Sequence, residues 1–162
     1  MAFLTLGRIL VALAALSIAA PAQRPSTLDV DATRAPLSVL WAHIAIPASP
    51  GPLTLAYPEW IPGEHAPTGP LNQVVSLKFS ANGKPLPWRR DDLHMFEFHL
   101  NVPPGADRVE ADLEFACLIG AEGFTAMVCS SQNQVVVDWH ELLLYSPTLP
   151  NDRNPFKAWK AR

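Results

Sequence analysis

The clearest pattern in the chain is a regular alternation of apolar and charged residues over residues 108–119. In this stretch, "RVEADLEFACLI", the odd-numbered positions are apolar, whereas Glu110, Asp112 and Glu114 are charged. Successive side chains of a β-strand point to opposite faces, so a period of two is typical of a strand with one buried face. We therefore predict a half-buried strand here, with its odd positions directed into a core.

A second stretch, "HMFEFHLNV", shows the same period. Its inward-facing positions are predicted to be Phe96, Phe98, Leu100 and Val102. Glu97, His99 and Asn101 fall on the other face, which the pattern predicts to be polar and hydrated. We therefore expect His99 to be exposed to solvent.

The sequence also indicates where the chain reverses direction. Upstream, apolar Val75, Leu77 and Phe79 alternate with polar residues and are followed by the dipeptide Asn82-Gly83, which favours a tight hairpin turn. The returning segment "KPLPWRR" contains two prolines, so we expect an edge strand or extended rim anchored by Trp88. "VPPGAD" predicts another turn.

Three further segments complete the predicted set of strands: "LSVLWAHIAI", "LTLAY" and "QVVVDWHELLLY". Seventeen prolines interrupt the chain at short intervals and leave little room for helices. Six or seven short strands joined by turns are typical of an all-β domain, either an antiparallel β-sandwich or a strongly curved sheet.

The N-terminal residues have the pattern of an export signal. A short region ending at Arg8 precedes the apolar run "ILVALAALSIAA", and Ala20-Pro21-Ala22 has the small-x-small form of a cleavage site. The run is shorter than the roughly 20 residues that span a bilayer as a helix. We expect a signal peptide at residues 1–22, a β domain at 23–148, an irregular or disordered tail at 149–162, and a periplasmic or extracellular protein with no membrane span.

Charge and cysteine content narrow the possible partners. The chain has 12 basic and 15 acidic side chains and a formal net charge of −3, without a basic cluster of the kind that binds phosphate backbones. We expect no nucleic-acid partner. Cys117 and Cys129 could form a disulfide in an oxidising compartment, and a buried thiol at Cys117 is the open alternative.

The stretch "YPEWIPGEHAPTGP", residues 57–70, carries four prolines and two glycines and predicts a shaped loop. In one interpretation Tyr57 and Trp60 cover the core while Glu64 and His65 lie in water. In the other the loop lines a binding cleft. The candidate residues of that cleft are Tyr57, Trp60, Glu64, His65 and Trp88.

Histidines provide two candidate metal sites, and the sequence argues against both. His140-Glu141 opens a His-Glu-x-x-His zinc motif, but its second histidine is replaced by Leu144, and the segment has strand-like composition. His94 and His99 have opposite parity in their predicted strand and should diverge, and a third ligand would have to come from His43 or His65, which the spacing leaves open. We expect no metal site and no catalytic residue in the chain.

Several pieces, taken in order, resemble a known family. They are the turn Trp60-Ile61-Pro62-Gly63, the segment "FSANGKPLPWRRDDLHMFEFHLNVPPGADRVEADLEF" and the "W-x-x-LLLY" segment at 139–145. Over residues 30–146 they resemble the N-terminal domain of the zinc metallopeptidase family typified by glycyl aminopeptidase.

The resemblance implies a β-rich leading domain. In the full-length enzymes a thermolysin-like domain with His-Glu-x-x-His and a further glutamate follows, and then a PDZ domain. No zinc ligand or catalytic residue of the family maps onto this sequence, so the resemblance implies no cofactor in this chain. Many members have Ser-Tyr where this chain has Glu64-His65, and no role is carried over to that pair.

Two hypotheses about function follow. The first is an exported, non-catalytic N-terminal β domain, a fragment that packs on a peptidase catalytic domain and shapes its cleft for peptide substrate. The second is a stand-alone exported β-sandwich module in which Tyr57, Trp60 and Trp88 form an aromatic platform for a peptide or a carbohydrate.

Overall fold

The chain folds almost entirely into β-strands. The computed structural model describes residues 25–61, 65–117 and 129–147, and the backbone of 159–161. The strands are β1 Ser26–Asp31, β2 Val39–Pro47, β3 Gly51–Ala56, β4 Val74–Ala81, β5 Lys84–Leu86, β6 Trp88–Arg90, β7 Glu97–Val102, β8 Arg108–Ala116, β9 Cys129–Ser130, β10 Val135–Val136 and β11 Trp159–Ala161. Short 3-10 helices lie at Ala35–Leu37, Leu71–Gln73 and Trp139–Leu142. Nowhere in these residues is there a helix with the length and apolar character needed to cross a membrane.

Two sheets face each other. The large sheet has the order β11-β1-β2-β8-β4-β5, and the small sheet has the order β3-β7-β6. Neighbouring strands are antiparallel except for β1 and β11, which run parallel. Strands β9 and β10 form a separate antiparallel pair. This architecture confirms the prediction of an all-β, sandwich-like domain.

The core lies between the inner faces of the two sheets. Strands β2 and β8 at the centre of the large sheet contribute alternate residues that are fully or almost fully buried: Leu40, Ala42, Ile44, Ile46, Val109, Ala111, Leu113 and Phe115. Small-sheet residues Phe98, Leu100 and Val102 belong to the same apolar cluster. The inward parity predicted for both stretches is therefore confirmed at these positions.

The predicted hairpin between β4 and β5 is also confirmed. Asn82 and Gly83 have φ angles of 50° and 71°. Two consecutive positive φ angles are the requirement of a type I′ turn, which explains the Asn-Gly dipeptide. After the turn the chain leaves the large sheet at Pro87, so "KPLPWRR" supplies one edge strand to each sheet.

The prediction of a single strand over "QVVVDWHELLLY" is wrong. Only Val135–Val136 pair as a strand there, followed by the 3-10 helix Trp139–Leu142. Leu142, Leu143 and Leu144 are all buried, and this run of consecutive apolar residues packs into the core. Tyr145 then forms an isolated bridge with Ala56. A run of apolar residues indicates that a segment is buried but not whether it is a strand. The pattern alone therefore could not identify the 3-10 helix.

The predicted inward position of Val75 is wrong as well. The pairing of β4 with β8 shifts register between Val74 and Ser76, as in a β-bulge. A bulge adds one residue to a strand and reverses the face that its side chains occupy. Val75 is consequently 59% exposed, although it shares the parity of buried Phe79.

Some predictions fall partly or wholly outside the described residues. The signal peptide at 1–22 and Glu64 do so entirely. In the tail, residues 159–161 form β11, so these three residues are not irregular as predicted. Cys117 is buried, and its backbone N–H donates to the carbonyl of Ser38 over 2.8 Å. The side chain of Cys129 is not described, and the disulfide remains a prediction.

The bulge leads to a test with two identical substitutions. Val109→Ala removes a fully buried side chain, whereas Val75→Ala removes one that is 59% exposed. We expect Val109→Ala to lower the free energy of unfolding by about 1.5–3 kcal/mol. Val75→Ala should change it by no more than about 0.5 kcal/mol. Urea unfolding measures both, and equal losses would contradict the assigned register of β4.

Candidate functional site

A cavity opens at one end of the small sheet, where the Pro-rich loop (residues 57–70) leaves β3. Its volume is about 290 Å³. The lining residues come from the end of β3, the start of the loop, the turn before β7, and the C-terminal segment: Ala56, Tyr57, Glu59, Leu93, His94, Met95, Phe96, Glu97 and Tyr145. Four separate stretches of chain therefore meet at this cavity.

Backbone hydrogen bonds hold these stretches together. The N–H of Ala56 donates to the carbonyl of Tyr145 over 2.7 Å, and the N–H of Tyr145 donates back to Ala56 over 2.9 Å. The N–H of Tyr57 donates to the carbonyl of Phe96 over 2.9 Å. These backbone hydrogen bonds do not depend on side-chain conformation, so the backbone that forms the floor of the cavity is held in place.

The two arms of the Pro-rich loop cross at Gly69. Its N–H donates to the carbonyl of Glu59 over 2.9 Å. A Cβ at this position would overlap the carbonyl group of Pro58, so only glycine allows so close an approach. The loop is therefore closed at its base.

The structure separates the two aromatic residues of the loop. Tyr57 is buried and forms part of the cavity wall, and its hydroxyl donates to the carbonyl of Glu141 over 2.7 Å. Burial, with a smaller contribution from the Glu141 charge, raises the pKa of Tyr57 well above its usual range. Trp60 is 61% exposed. Tyr57 thus supports the loop, while Trp60 is available for contact.

Of the other predicted cleft residues, neither His65 nor Trp88 is among the described residues that line the cavity. His65 is exposed, and Glu64 lies outside the described residues. Trp88 packs edge-on against Phe79 and Phe98 at the end of the core, with ring centroids 5.8 and 5.4 Å apart. With Tyr57 buried, an exposed platform of three aromatic rings is not formed.

A group of ligand-type side chains lies beside the cavity, on the outer face of the small sheet. We call Asp91, Glu97 and His99 the acid–histidine cluster; one ligand atom from each lies within 4.8 Å of the others. His99 lies on the outer face, as its parity predicts, but its side chain is only 25% exposed, and its Nε2 is 2.8 Å from Asp91 Oδ2. Its Nδ1 is 3.0 Å from Thr54 Oγ1 on the facing strand.

Asp91 also organises the turn that forms the rim of the cavity. Its Oδ1 accepts the backbone N–H groups of Leu93 and His94 over 2.9 and 2.8 Å. The His94 N–H, the His99 ring and the Leu93 N–H, in that order, hold the pKa of the Asp91 carboxyl far below its usual range. Asp91 therefore carries a negative charge at neutral pH and links the rim to β7.

Sequence reasoning missed this cluster. Asp91 follows an edge strand, where an exposed acid is common, and the sequence pattern related His99 to other histidines and not to Asp91. The sequence did contain one signal of the cluster. Glu97 and His99 are two residues apart in β7, so their side chains lie on the same outer face. The other contacts could not be predicted from β7 alone. The pairing of β3 with β7 places Thr54 opposite His99, and the turn after β6 brings Asp91 back to β7.

Two other histidines also pair with aspartates. His43 Nδ1 lies 2.9 Å from Asp112 Oδ1 on the outer face of the large sheet. His140 Nδ1 lies 2.6 Å from Asp138, and its buried Nε2 has no hydrogen-bond partner among the described residues. Leu144, where the zinc motif would need its second histidine, is buried in the core. In the described part of the chain, only the acid–histidine cluster adds a third ligand-type group.

The lowered pKa of Asp91 predicts how stability depends on pH. In acid the unfolded chain binds more protons than the folded chain at this carboxyl, whose unfolded pKa is about 3.9. The stabilisation is therefore complete above that pKa and is lost as the pH falls. Asp91→Asn should lower the urea midpoint at neutral pH and flatten its decline below about pH 4, measured with EDTA present.

Asp92→Asn provides the control for this prediction. Asp92 is the exposed neighbour of Asp91. Its substitution should preserve the wild-type decline in acid. If Asp91→Asn and wild type lose stability in parallel as the pH falls, the hydrogen-bonded Asp91 carboxylate is not a source of the pH dependence.

Comparisons with known proteins agree with this architecture. A solved structure, an aminopeptidase N family protein from Idiomarina loihiensis, superposes with a TM-score of 0.64 at 15% sequence identity. The match covers 76% of this chain but 20% of that one, so the chain spans about a fifth of the length of that protein. A search of curated protein sequences gives no match. At this identity the likeness shows a shared fold.

The family comparison is more specific. The model described as the peptidase M61 N-terminal domain matches residues 27–156. That range runs from the second residue of β1 through β10 and includes the Pro-rich loop and the cavity. It also contains the region for which the sequence resembled a metallopeptidase N-terminal domain. The chain therefore belongs to the peptidase M61 N-terminal domain family.

Proposed function

We propose that the chain is the exported, non-catalytic N-terminal β domain of an M61-type zinc aminopeptidase, and that it packs on a catalytic domain whose cleft it shapes. The family match over residues 27–156 carries this proposal. The likeness to one fifth of an aminopeptidase N family protein supports it, because that protein contains much more chain than this domain.

The exposed apolar residues around the cavity indicate the packing surface. Leu93 and Met95 line the cavity and are 88% and 56% exposed, and Trp60 follows the lining residue Glu59. Clustered apolar side chains on a surface mark protein contacts more often than isolated ones do. We call Trp60, Leu93 and Met95 the apolar rim, and we propose that the catalytic domain covers it.

The rigidity of the loop supports the same role. The crossing at Gly69 and the paired backbones of Ala56 and Tyr145 hold Trp60 in a defined position relative to the cavity. A preformed surface loses little conformational entropy when it binds. The Pro-rich loop would then form one wall of the substrate cleft in the assembled enzyme.

The remaining parts of the proposal rest on sequence. Export follows from the signal pattern of residues 1–22. The zinc chemistry of peptide hydrolysis would belong to the catalytic domain, since the sequence "WHELLLY" has Leu144 in place of the second histidine of the zinc motif. In this arrangement the chain contributes shape and contact surface rather than catalysis.

The packing surface can be tested with single substitutions. Binding partners are this chain and the M61 catalytic domain encoded in the same genome, produced separately. We expect Trp60→Ala to weaken their association by about tenfold or more, because large aromatic side chains carry much of the energy of protein interfaces. Titration calorimetry measures the dissociation constant, and circular dichroism checks that the variant is folded.

Two exposed leucines provide a matched comparison. Leu93→Ser changes the apolar rim, whereas Leu37→Ser changes a residue that is 72% exposed in the short helix before β2. We expect weaker binding for Leu93→Ser alone. Equal affinities of the two variants would contradict the proposed surface, and peptide hydrolysis by the purified chain would contradict the non-catalytic role.

A further inference from the structure

The acid–histidine cluster combines the ligand types of a transition-metal site. Asp91, Glu97 and His99 offer two carboxylates and one imidazole, with their ligand atoms within 4.8 Å of one another. When each ligand atom lies about 2.1 Å from a metal, neighbouring ligand atoms are about 3.0–3.4 Å apart. The Asp91–His99 distance of 2.8 Å is already near that range. The Glu97 carboxylate, whose ligand atom lies within 4.8 Å of the other two, would have to move closer to complete the set.

The charges of the cluster favour a cation. Asp91 and Glu97, both partly buried, place two carboxylate side chains beside each other. Arg89 stands opposite His99 in the register of β6 and β7, but no ion pair joins it to these carboxylates in the described part of the chain. Two neighbouring carboxylates repel each other, and a bound divalent cation removes this repulsion.

Two of the three ligands are held in place before any cation binds. Two backbone N–H groups bind Asp91 Oδ1 and leave Oδ2 directed at His99. Thr54 Oγ1, 3.0 Å from His99 Nδ1, fixes the plane of the imidazole. A metal-bound histidine commonly donates its other ring N–H to an oxygen acceptor, and Thr54 supplies that acceptor.

We propose that Asp91, Glu97 and His99 bind one divalent first-row transition-metal cation such as Zn²⁺, with Thr54 as a positioning residue. The imidazole distinguishes the site from the all-oxygen sites of Ca²⁺ and Mg²⁺. Before binding, His99 Nε2 carries the proton that is donated to Asp91 Oδ2. On binding, that proton leaves Nε2 to water, Nε2 bonds to the metal, and the neutral ring carries its one proton on Nδ1, where it donates to Thr54 Oγ1. The cation ties β7 to the cavity rim through Asp91.

Zinc titration of the intact chain, after treatment with EDTA and its removal, tests this site. We expect one Zn²⁺ per chain by calorimetry and a rise in the melting temperature. Glu97→Gln keeps the size of the side chain and removes its charge, and it should weaken Zn²⁺ binding by at least about tenfold. His99→Gln should have at least the same effect.

The chain contains its own matched control. His43 and Asp112 also form a partly buried His–Asp pair on the outer face of a sheet, at 2.9 Å, but without a third ligand-type neighbour in the described residues. His43→Gln should leave Zn²⁺ affinity unchanged. The role of Thr54 predicts weaker binding for Thr54→Val, by about tenfold, and recovery in Thr54→Ser, which keeps the hydroxyl.

Cobalt substitution identifies the ligand atoms. Co²⁺ bound by imidazole and carboxylate gives weak visible bands without the strong thiolate-to-cobalt charge-transfer band, whereas binding at a cysteine would produce that band. The proposal is overturned if wild type shows no saturable one-to-one binding, if a folded Glu97→Gln chain binds Zn²⁺ as tightly as wild type, or if the cobalt spectrum shows thiolate ligation. Should His99→Gln fail to fold, Glu97→Gln decides the question.

Discussion

The antiparallel pairing of β2 with β8 is the constraint on which the rest of this structure depends. Nine residue pairs join the two strands without a register shift. Their inward side chains are fully or almost fully buried and provide the floor on which the small sheet packs. A slip of one residue would turn charged Asp112 and Glu114 into the core. Hydrophobic burial therefore fixes the register of β2 and β8. The strands that pair with them, β1 and β4, are positioned by that register.

The candidate site is built where this regular pairing stops. Strand β3 ends at Ala56, which pairs with Glu97 of β7 and also bonds to the backbone of Tyr145, which lies outside the named strands. The buried segment of Leu142 to Leu144 brings Tyr145 there, and the Tyr57 hydroxyl holds the same segment through the Glu141 carbonyl. The packing of the core thus determines the position of the cavity floor and of the residues around its opening.

The sequence predicts the features that depend on neighbouring residues, and it does not predict those that depend on residues distant in the chain. Strands β7 and β8 and the Asn82-Gly83 turn were predictable because side-chain period and turn chemistry are local properties. The bulge at Val75 and the 3-10 helix at Trp139–Leu142 were not, because partners distant in sequence decide them. The Pro-rich loop was recognised from its prolines, but the burial of Tyr57 and the exposure of Trp60 come from packing. The acid–histidine cluster was missed for the same reason, since it depends on the turn that brings Asp91 back to β7.

The two outer-face His–Asp pairs show how a fold gives different surroundings to the same residue types. His43 and Asp112 face each other across two long central strands, where neighbouring positions are set by a continuous ladder. His99 instead meets an aspartate from a turn, and that turn also carries the cavity rim. A turn can bring its side chains closer to a strand than a neighbouring strand can, because it is not confined to the spacing of the ladder. This explains why three ligand-type side chains meet beside the cavity, whereas the described surroundings of His43 and Asp112 add no third one.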